Sequence, residues 1–299
     1  MKHLIVIAGP TAIGKTNLSI RLASQFKSEI FSADSRQLFN ELSIGTAKPS
    51  QTELAATKHH FINELSVAGD YSAGQFEKDA LERLGERFKQ HNVLFLVGGS
   101  GLYINAVCQG FDAFPEIDPQ IRLTLNAELE EQGIGHLQQL LQQADPDYYK
   151  TVDLNNPMRL TRALEIYRGT GKPYSSYLNK AKAKRPFNIV KIALDMDREA
   201  LYKRINTRVD TMIEQGLIDE VKQLMPYKNK AALQTVGYQE LFDYFDGRAN
   251  LDKAIDLIKQ NSRRYAKRQL TWLRRDQDYK WFKPDVVEEI ANYISGNIL

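Results

Sequence analysis

The chain has 299 residues, 42% of them hydrophobic and 26% charged, which is enough apolar material for a sizeable core and argues against disorder. No apolar run approaches the roughly 20 residues that a membrane-spanning helix needs, and a single cysteine, Cys108, excludes an intramolecular disulfide framework and a cysteine-based zinc site. We therefore expect a soluble protein of the reducing cytoplasm, and its net charge of +3 is too small to indicate nucleic acid binding by itself.

The first third of the chain alternates predicted strands with predicted helices. Residues 4–8 form an apolar run typical of a strand buried on both faces, and a helix with an apolar residue at every fourth position from Leu18 to Phe26 follows. A short second strand ends at Ala33, and a helix capped by Ser72 leads to a third strand at 93–97. This alternation predicts an α/β fold with a parallel sheet flanked by helices, whose ligands bind at the carboxyl ends of the strands.

The middle of the chain has a different character. From about Phe111, prolines punctuate helical stretches, and no convincing buried strand follows until residues 189–194. We therefore predict a helical insertion at 112–187. The core then consists of 1–111 and 188–299.

A phosphate-binding motif lies between the first strand and the first helix. Residues 9–16 match the pattern G-x-x-x-x-G-K-[ST]. This pattern indicates phosphate binding when a strand precedes it and a helix follows it, as predicted here. Glycines let backbone amides wrap an anion, Lys15 supplies a positive charge, and the Thr16 hydroxyl can hold magnesium. The predicted diphosphate-binding residues are Gly9, Pro10, Thr11, Ala12, Ile13, Gly14, Lys15 and Thr16, with Thr16 also the predicted metal ligand.

The loops after the other two strands argue against an ordinary kinase or NTPase. Such enzymes hold magnesium with an acidic residue after a neighbouring strand, but the strand at 93–97 runs into the segment Gly98-Gly99-Ser100-Gly101. The acid stands instead after the second strand, at Asp34. This carboxylate can be a metal ligand, a base that removes a proton from a nucleophile, or the acceptor of an Asx-type turn or helix cap.

Seven collinear motifs carry a family resemblance over most of the chain. They are GPTAIGKT at 9–16, DSRQLF at 34–39, GTAKP at 45–49, VGGSGLYI at 97–104, NNPMRLTRALEIYRGTGKP at 155–173, VGY at 236–238 and KRQLTWLR at 267–274. Together they resemble the compact bacterial form of the tRNA dimethylallyltransferases, also called tRNA isopentenyltransferases. The resemblance implies a P-loop NTPase-like core that transfers a dimethylallyl group from its diphosphate to the N6 amine of the adenosine 3′ to the anticodon, with Mg2+ as cofactor and pyrophosphate as leaving group.

The resemblance also implies roles for individual residues. Asp34 would be the base that takes a proton from the adenine amine, and Ser100 would hydrogen-bond the reacting region or the adenosine. In a helix that Asp197 can cap, Arg204 and Arg208 are four residues apart and can face one site, and the family pattern favours Arg208 as the pyrophosphate ligand. The predicted catalytic residues are therefore Asp34, Ser100 and Arg208.

An RNA-binding surface is also expected, because a base in a folded anticodon arm must leave its stack before it can reach a buried carboxylate. A predicted helix at about 251–275 contains, from Lys259 onwards, seven basic residues and no acidic ones. Arg264, Arg268 and Arg275 would share one face of this helix. By the resemblance, the tRNA-binding residues are Asp34, Ser35, Arg36, Gln37, Ser100, Arg122, Met158, Arg159, Leu160, Thr161, Arg162, Leu233, Gln234, Thr235, Val236, Gly237, Tyr238, Lys267, Arg268, Gln269, Leu270, Thr271, Trp272, Leu273 and Arg274.

The sequence departs from the family pattern at two places. Ser100 stands where many members have threonine, which keeps the hydroxyl, and Gln234-Thr235 stands where some have arginine and cysteine. The alternative functions are an isopentenyltransferase acting on free adenine nucleotide, a small-molecule P-loop kinase, and an RNA-binding module with a vestigial nucleotide site. The insertion and the basic C-terminal segment favour tRNA over free nucleotide. The resemblance implies the tRNA anticodon arm and dimethylallyl diphosphate as partners, and we expect a monomer without membrane contact.

Overall fold

The computed structural model describes residues 1–112, 114–178 and 183–298. The strands are β1 (His3–Ala8), β2 (Ile30–Ala33), β3 (His59–His60), β4 (Val93–Gly98), β5 (Asn188–Leu194) and β6 (Lys280–Phe282). The helices are α1 (Lys15–Gln25), α2 (Gln51–Ala56), α3 (Ala73–Arg87), α4 (Gly101–Gln109), α5 (Pro119–Gln132), α6 (Ile134–Ala144), α7 (Pro146–Tyr149), α8 (Pro157–Thr170), α9 (Arg198–Glu214), α10 (Leu217–Gln223), α11 (Gln239–Phe245), α12 (Leu251–Leu273) and α13 (Val287–Ile298).

The six strands form one parallel sheet in the order β3-β2-β4-β1-β5-β6. The central strand β1 is buried on both faces, as its apolar run predicts: Leu4 and Val6 join one apolar core and Ile5 and Ile7 the other. The predicted α/β fold with a parallel sheet flanked by helices is therefore confirmed. The edge strands β3 and β6 were not predicted, because two or three residues are too few to carry a periodic pattern.

The chain divides into two compact units, Met1–Gln109 with Lys184–Leu299, and Gly110–Ala183. The limits of the second unit lie two and four residues before those of the insertion predicted at 112–187, of which residues 113 and 179–182 lie outside the described ranges. The described part of this unit contains α5 to α8 and no strand. Its own apolar core is formed by Leu125, Leu137, Leu141, Ala144, Leu160, Ala163 and Leu164.

Side-chain caps set the starts of several helices. Ser72 and Asp197 accept hydrogen bonds from backbone amides in the first turns of α3 and α9, as the sequence predicts. Asn250 caps α12 in the same way. In the described ranges, none of the helices combines the length and the apolar character that crossing a membrane requires.

A buried charge cluster joins β2, β3 and α3 at the amino end of the sheet. Glu29, directly before β2, accepts a hydrogen bond from Arg87 Nε at 2.7 Å and pairs with His60 Nε2 at 2.8 Å. Burial by itself would raise the pKa of Glu29, but the hydrogen bonds from Arg87 and His60 lower it to about 2. Only 9% of the Glu29 side chain is exposed, so water can do little to replace its charge. If Glu29 loses that charge, Arg87 is left without a charged partner in a largely buried place.

We expect Glu29→Gln to lower the free energy of unfolding at pH 7 by roughly 2–3 kcal/mol, because it removes the negative charge from a largely buried ion pair. The loss is moderate because water partly reaches the other member of the pair, Arg87. Since the pKa of Glu29 is about 2 in the folded chain and ordinarily 4.5, its contribution is present above pH 4.5 and is lost as the pH falls towards 2. Urea unfolding between pH 7 and 2.5 measures both effects. The exposed Glu82 of α3 supplies the control, Glu82→Gln, and equal stability of the two variants would contradict the prediction.

Candidate active site

The phosphate loop connects β1 to α1 and has the backbone shape that its motif predicts. Gly14 is the residue before the first turn of α1 and has a φ of 105°, in the left-handed region that favours glycine. Ala12 also has a positive φ, of 63°. The amides at the start of α1 therefore face the loop, where the helix dipole favours an anion.

Lys15 folds back over this loop. Its Nζ donates hydrogen bonds to the carbonyl oxygens of Gly9 at 3.0 Å and Pro10 at 2.9 Å. Burial lowers the pKa of Lys15 to about 8, the negative charge of Asp34 opposes this shift, and the positive charge of Arg208 adds to it. An anion bound at the loop would relieve this cost, because it would give the ammonium group a charged partner.

Asp34 follows β2 at the same edge of the sheet. Its Oδ1 accepts hydrogen bonds from the backbone amides of Arg36 at 2.9 Å and Gln37 at 3.3 Å, so the Asx-type turn that the sequence allowed is present. Among the described residues, no hydrogen bond involves Oδ2. The carboxylate thus has one oxygen that shapes the loop and a second that is available for chemistry.

The loop after β4 packs directly against the loop after β2. Ser100 Oγ accepts a hydrogen bond from the amide of Ser35 at 3.0 Å, and the Ser100 amide donates to the carbonyl oxygen of Ala33 at 3.2 Å. A Cβ added to Gly98 would lie 2.1 Å from that carbonyl oxygen, so only glycine allows the strands to approach this closely. Ser100 is therefore held beside the turn that Asp34 forms.

Arg208 extends from α9 towards the same group of charges. Its Nη2 donates to the carbonyl oxygen of Thr46 at 3.3 Å, and this oxygen also accepts a hydrogen bond from Gln37 Nε2 at 3.2 Å. Burial lowers the pKa of Arg208, and the charge of Asp34 opposes that shift. Arg204, one turn earlier, has its Nη2 3.4 Å from the position that a Cβ on Gly14 would occupy. Both arginines of α9 thus face the phosphate loop and its surroundings.

Gln269 of α12 makes a connection that the sequence did not predict. Its Oε1 accepts a hydrogen bond from the Thr11 amide of the phosphate loop at 2.9 Å, and its Nε2 donates to the carbonyl oxygen of Gly99 at 2.9 Å. The side chain is buried, and it ties the loops after β1 and β4 together. The spacing of Gln269 from Ala266 and Leu273 along the apolar stripe of α12 is the sequence signal that could have indicated an inward position.

A small polar cavity adjoins Thr16. It has a volume of about 30 Å³, which is enough to hold water, and Thr16, Ser19, Ser32, Gln37 and His59 are among its lining residues. Among the described residues, no three His, Cys, Asp or Glu side chains are placed to hold a metal ion together. The Thr16 hydroxyl beside this cavity is an oxygen donor, the kind of ligand that magnesium accepts.

The predicted RNA-binding residues of the first unit divide by exposure. On α12, Lys267, Arg268 and Thr271 are exposed, whereas Gln269 and Leu273 are buried and Leu270 and Trp272 are partly buried. In the segment 233–238, Leu233, Gly237 and Tyr238 are buried and Gln234 is exposed. Asp34, Ser35, Arg36, Gln37 and Ser100 are partly buried around the turn described above.

The prediction that Arg275 shares a helical face with Arg264 and Arg268 is wrong. The helix α12 ends at Leu273, so Arg275 lies in the turn beyond it. The chain leaves the helical path because the following segment is bound elsewhere: Lys191 of β5 donates hydrogen bonds to Asp276 at 2.7 Å and to a second aspartate, Asp278, at 3.1 Å. Arg275 is nonetheless exposed, as Arg274 is.

In the second unit, one buried carboxylate organises two of the predicted RNA-binding arginines. Glu165 of α8 accepts hydrogen bonds from Arg122 Nη2 at 2.7 Å and Arg162 Nη1 at 2.8 Å. The side chain of Arg122 is 51% exposed and that of Glu165 only 7%. Met158 and Arg159 are also exposed on α8, whereas Leu160 belongs to the core of the unit and Thr161 is buried.

The sequence matches the profile of the IPP transferase family over residues 37–276. The chain is 56% identical to a tRNA dimethylallyltransferase from Christiangramia forsetii, over 99% of this chain and 98% of that one. It is 51% identical to a tRNA dimethylallyltransferase from Flavobacterium johnsoniae, over 100% of this chain and 99% of that one.

Two solved structures are similar to the chain along nearly its whole length. The full-length tRNA isopentenylpyrophosphate transferase from Bacillus halodurans has a TM-score of 0.75 and 39% identity, covering 100% of this chain and 97% of that one. A eukaryotic dimethylallyltransferase captured in crystallographic snapshots acting on tRNA has a TM-score of 0.80 and 26% identity, covering 99% of this chain and 77% of that one. The predicted P-loop core with a parallel sheet is therefore a fold that these neighbours share.

We expect the affinity of the chain for inorganic pyrophosphate to fall by up to about tenfold per pH unit above pH 8, because Lys15, with a pKa of about 8, loses its charge there. Asp34→Asn removes the negative charge that favours protonated Lys15, so the midpoint of this decline should move to lower pH. Calorimetric titration between pH 6.5 and 9.5 measures the decline. Lys15→Arg is the matched control, because arginine keeps its charge throughout this pH range. Pyrophosphate ionises identically in both experiments, so only the charge at position 15 differs. An identical decline in Lys15→Arg would show that Lys15 is not responsible.

Proposed function

This chain belongs to the IPP transferase family, and on that premise we propose that it transfers a dimethylallyl group from dimethylallyl diphosphate to the N6 amine of the tRNA adenosine 3′ to the anticodon, releasing pyrophosphate. The observation that carries the proposal is the grouping of a phosphate loop, two cations and one carboxylate at the carboxyl edge of the sheet. Lys15 and Arg208 suit a diphosphate, and Asp34 suits an amine that must lose a proton. The full-length relatives named for this activity support the same function.

The reaction replaces a carbon–oxygen bond by a carbon–nitrogen bond. The bond between the dimethylallyl carbon and the bridging oxygen breaks, and its electron pair leaves with pyrophosphate, whose growing charge Lys15, Arg208 and the phosphate-loop amides stabilise. The adenine amine attacks that carbon and gives one proton to Asp34, which helps because the amine lone pair is delocalised into the ring. Because two amides hold Oδ1 of Asp34, we assign the proton to Oδ2.

Magnesium belongs to the proposal as a cofactor. The Thr16 hydroxyl, beside the polar cavity at the start of α1, would hold it together with diphosphate oxygens and water. Bound magnesium would neutralise charge on the diphosphate and so make pyrophosphate a better leaving group.

The target adenosine must be turned out of the anticodon stack to reach Asp34. Ser100 and the turn at 34–37 are placed beside that carboxylate and suit contacts with the adenosine. Along α12, the exposed Lys267, Arg268 and Thr271 suit contacts with the RNA backbone, because phosphates attract basic side chains and hydroxyl donors. Exposed Gln234 is the most accessible side chain of the segment 233–238 for such a contact.

The second unit supports the proposal with a separate basic surface. Arg122 and Arg162 share one carboxylate, Glu165, so a pair of cations is offset by a single negative charge. We propose that this pair, with exposed Arg159, binds tRNA phosphates. An enzyme that acts on tRNA in this way works where tRNA is made and used, in the bacterial cytoplasm, and we propose that it acts as a monomer.

The direct test is mass spectrometry of nucleosides after the protein is incubated with unmodified tRNA, magnesium and dimethylallyl diphosphate. One added dimethylallyl group on the adenosine next to the anticodon is the expected result. Alkylation of free AMP with unchanged tRNA would replace the proposal by the nucleotide-directed transferase. Phosphoryl transfer from ATP to a small molecule, with neither prenylation reaction, would favour a kinase.

Asp34→Asn should lower the rate of transfer by at least about a hundredfold, the usual contribution of a positioned general base, while tRNA affinity stays within about twofold of wild type. Asparagine keeps the Oδ1 acceptor for the amides of Arg36 and Gln37, so the turn should persist and only the base is lost. Single-turnover transfer and filter binding of tRNA separate the two effects. An unchanged rate would reject Asp34 as the base.

Arg122→Ala should weaken tRNA binding about threefold to tenfold and lower the slope of log affinity against log salt by about one, because one phosphate contact is lost. Arg168→Ala removes one exposed arginine from the same helical unit, where Arg168 pairs with Glu128, and serves as the matched control. Equal salt slopes for the two variants would contradict a specific contact at Arg122.

A further inference from the structure

Glu220 of α10 makes a set of contacts that none of the sequence motifs predicted. Its Oε2 accepts hydrogen bonds from the backbone amides of Ser43 at 3.0 Å and Ile44 at 2.7 Å. Its Oε1 accepts from the amide of Gly45 at 3.1 Å and from the hydroxyl of Tyr238 at 2.7 Å. Four donors therefore converge on one carboxylate, and three of them belong to consecutive residues of a single loop.

The loop that Glu220 holds also supports the proposed diphosphate ligand. Thr46, directly after the three bound amides, accepts hydrogen bonds at its carbonyl oxygen from Arg208 Nη2 at 3.3 Å and from Gln37 Nε2 at 3.2 Å. Gln37 Nε2 also donates to the carbonyl oxygen of Ala47 at 3.3 Å. The backbone amides of the loop thus bind Glu220, and the carbonyl oxygens of the same loop bind Gln37 and Arg208 of the candidate active site.

The loop needs these contacts because its conformation is constrained. A Cβ added to Gly45 would lie 2.6 Å from the ring of Tyr238, so the backbone passes directly under that ring. Ala47 has a φ of 45°, in the left-handed region that alanine rarely adopts. Such a segment keeps one shape only where surrounding hydrogen bonds determine it, and Glu220 supplies several of these bonds.

We propose that Glu220 is a positioning residue for the transfer reaction: by fixing the loop 43–47 it holds the Thr46 carbonyl oxygen where it orients Arg208 towards the diphosphate. The inference rests on the proposed function in taking Arg208 as the diphosphate ligand. Glu220 acts through the loop, so its effect should depend on the presence of Arg208. This dependence distinguishes positioning from a general contribution to stability.

The test is a double-mutant cycle on the full chain, with Glu220→Ala, Arg208→Ala and the variant that combines them. Calorimetry measures the affinity for inorganic pyrophosphate with magnesium, and thermal unfolding measures stability. Glu220→Ala should weaken pyrophosphate binding about tenfold, the scale of one hydrogen bond to a charged group. In the Arg208→Ala background the same change should have an effect of less than about twofold, because the group that Glu220 orients is already gone. Glu220→Gln keeps the shape of the side chain and one acceptor oxygen, so it should bind pyrophosphate more tightly than Glu220→Ala does. If Glu220→Ala does not fold, Glu220→Gln replaces it in the double-mutant cycle.

The matched control is Asp219→Asn, which removes the charge of the exposed residue next to Glu220 on the same helix. This variant should bind pyrophosphate as wild type does. An additive cycle, or wild-type affinity in Glu220→Ala, would overturn the positioning role. If wild type prenylates tRNA while the cycle is additive, the proposed function stands and only this inference fails. If wild type binds pyrophosphate and the cycle is non-additive but tRNA stays unmodified, the positioning of Arg208 stands and the proposed function fails. Wild type that does not bind pyrophosphate would overturn both.

Discussion

The candidate site depends on one electrostatic constraint, which is that the cations Lys15 and Arg208 lie near each other and share the negative charge of Asp34. Burial lowers the pKa of both Lys15 and Arg208, and for Lys15 it reaches about 8 although the charge of Asp34 opposes the shift. The chain compensates with carbonyl oxygens, those of the phosphate loop for Lys15 and that of Thr46 for Arg208. Carbonyl dipoles hold these cations without neutralising them, so the arrangement favours a multiply charged anion such as a diphosphate.

The loops around these charges follow different strands, and side chains outside the charged group hold them in place. Ser100 binds the amide of Ser35, Gln269 bridges the loops after β1 and β4, and Glu220 fixes the loop that supports Arg208. The sheet sets where each loop begins, but it does not determine how the loops lie relative to one another beyond the strand ends. Because displacement of a reacting group by about 1 Å can cost a hundredfold in rate, these connections matter as much as the groups they hold.

The features that the sequence predicts are local ones. An apolar run, a glycine pattern and a helical stripe indicate β1, the phosphate loop and α1, because each depends on residues close together in the chain. The contacts of Gln269 with Thr11 and of Glu220 with Gly45 could not be predicted in this way, because the partners are 258 and 175 residues apart in sequence. For Asp34 the sequence allowed several roles, and the turn that the structure contains is compatible with a base, since it uses only one of the two carboxylate oxygens.

The segment 267–274 illustrates how one motif can serve two purposes. Because α12 is amphipathic, neighbouring positions of this segment face opposite directions: Lys267, Arg268 and Thr271 are exposed, and Gln269 is buried between two loops of the site. For Gln269 to contact RNA, it would have to give up hydrogen bonds to the phosphate loop and to the loop after β4, leaving the partly buried Thr11 amide and Gly99 carbonyl without this partner. The exposed side chains are therefore the ones available for the proposed contacts with RNA, whereas Gln269 holds the phosphate loop and the loop after β4 together. Under the proposed function, one helix both contacts the nucleic acid substrate and keeps the phosphate loop in shape.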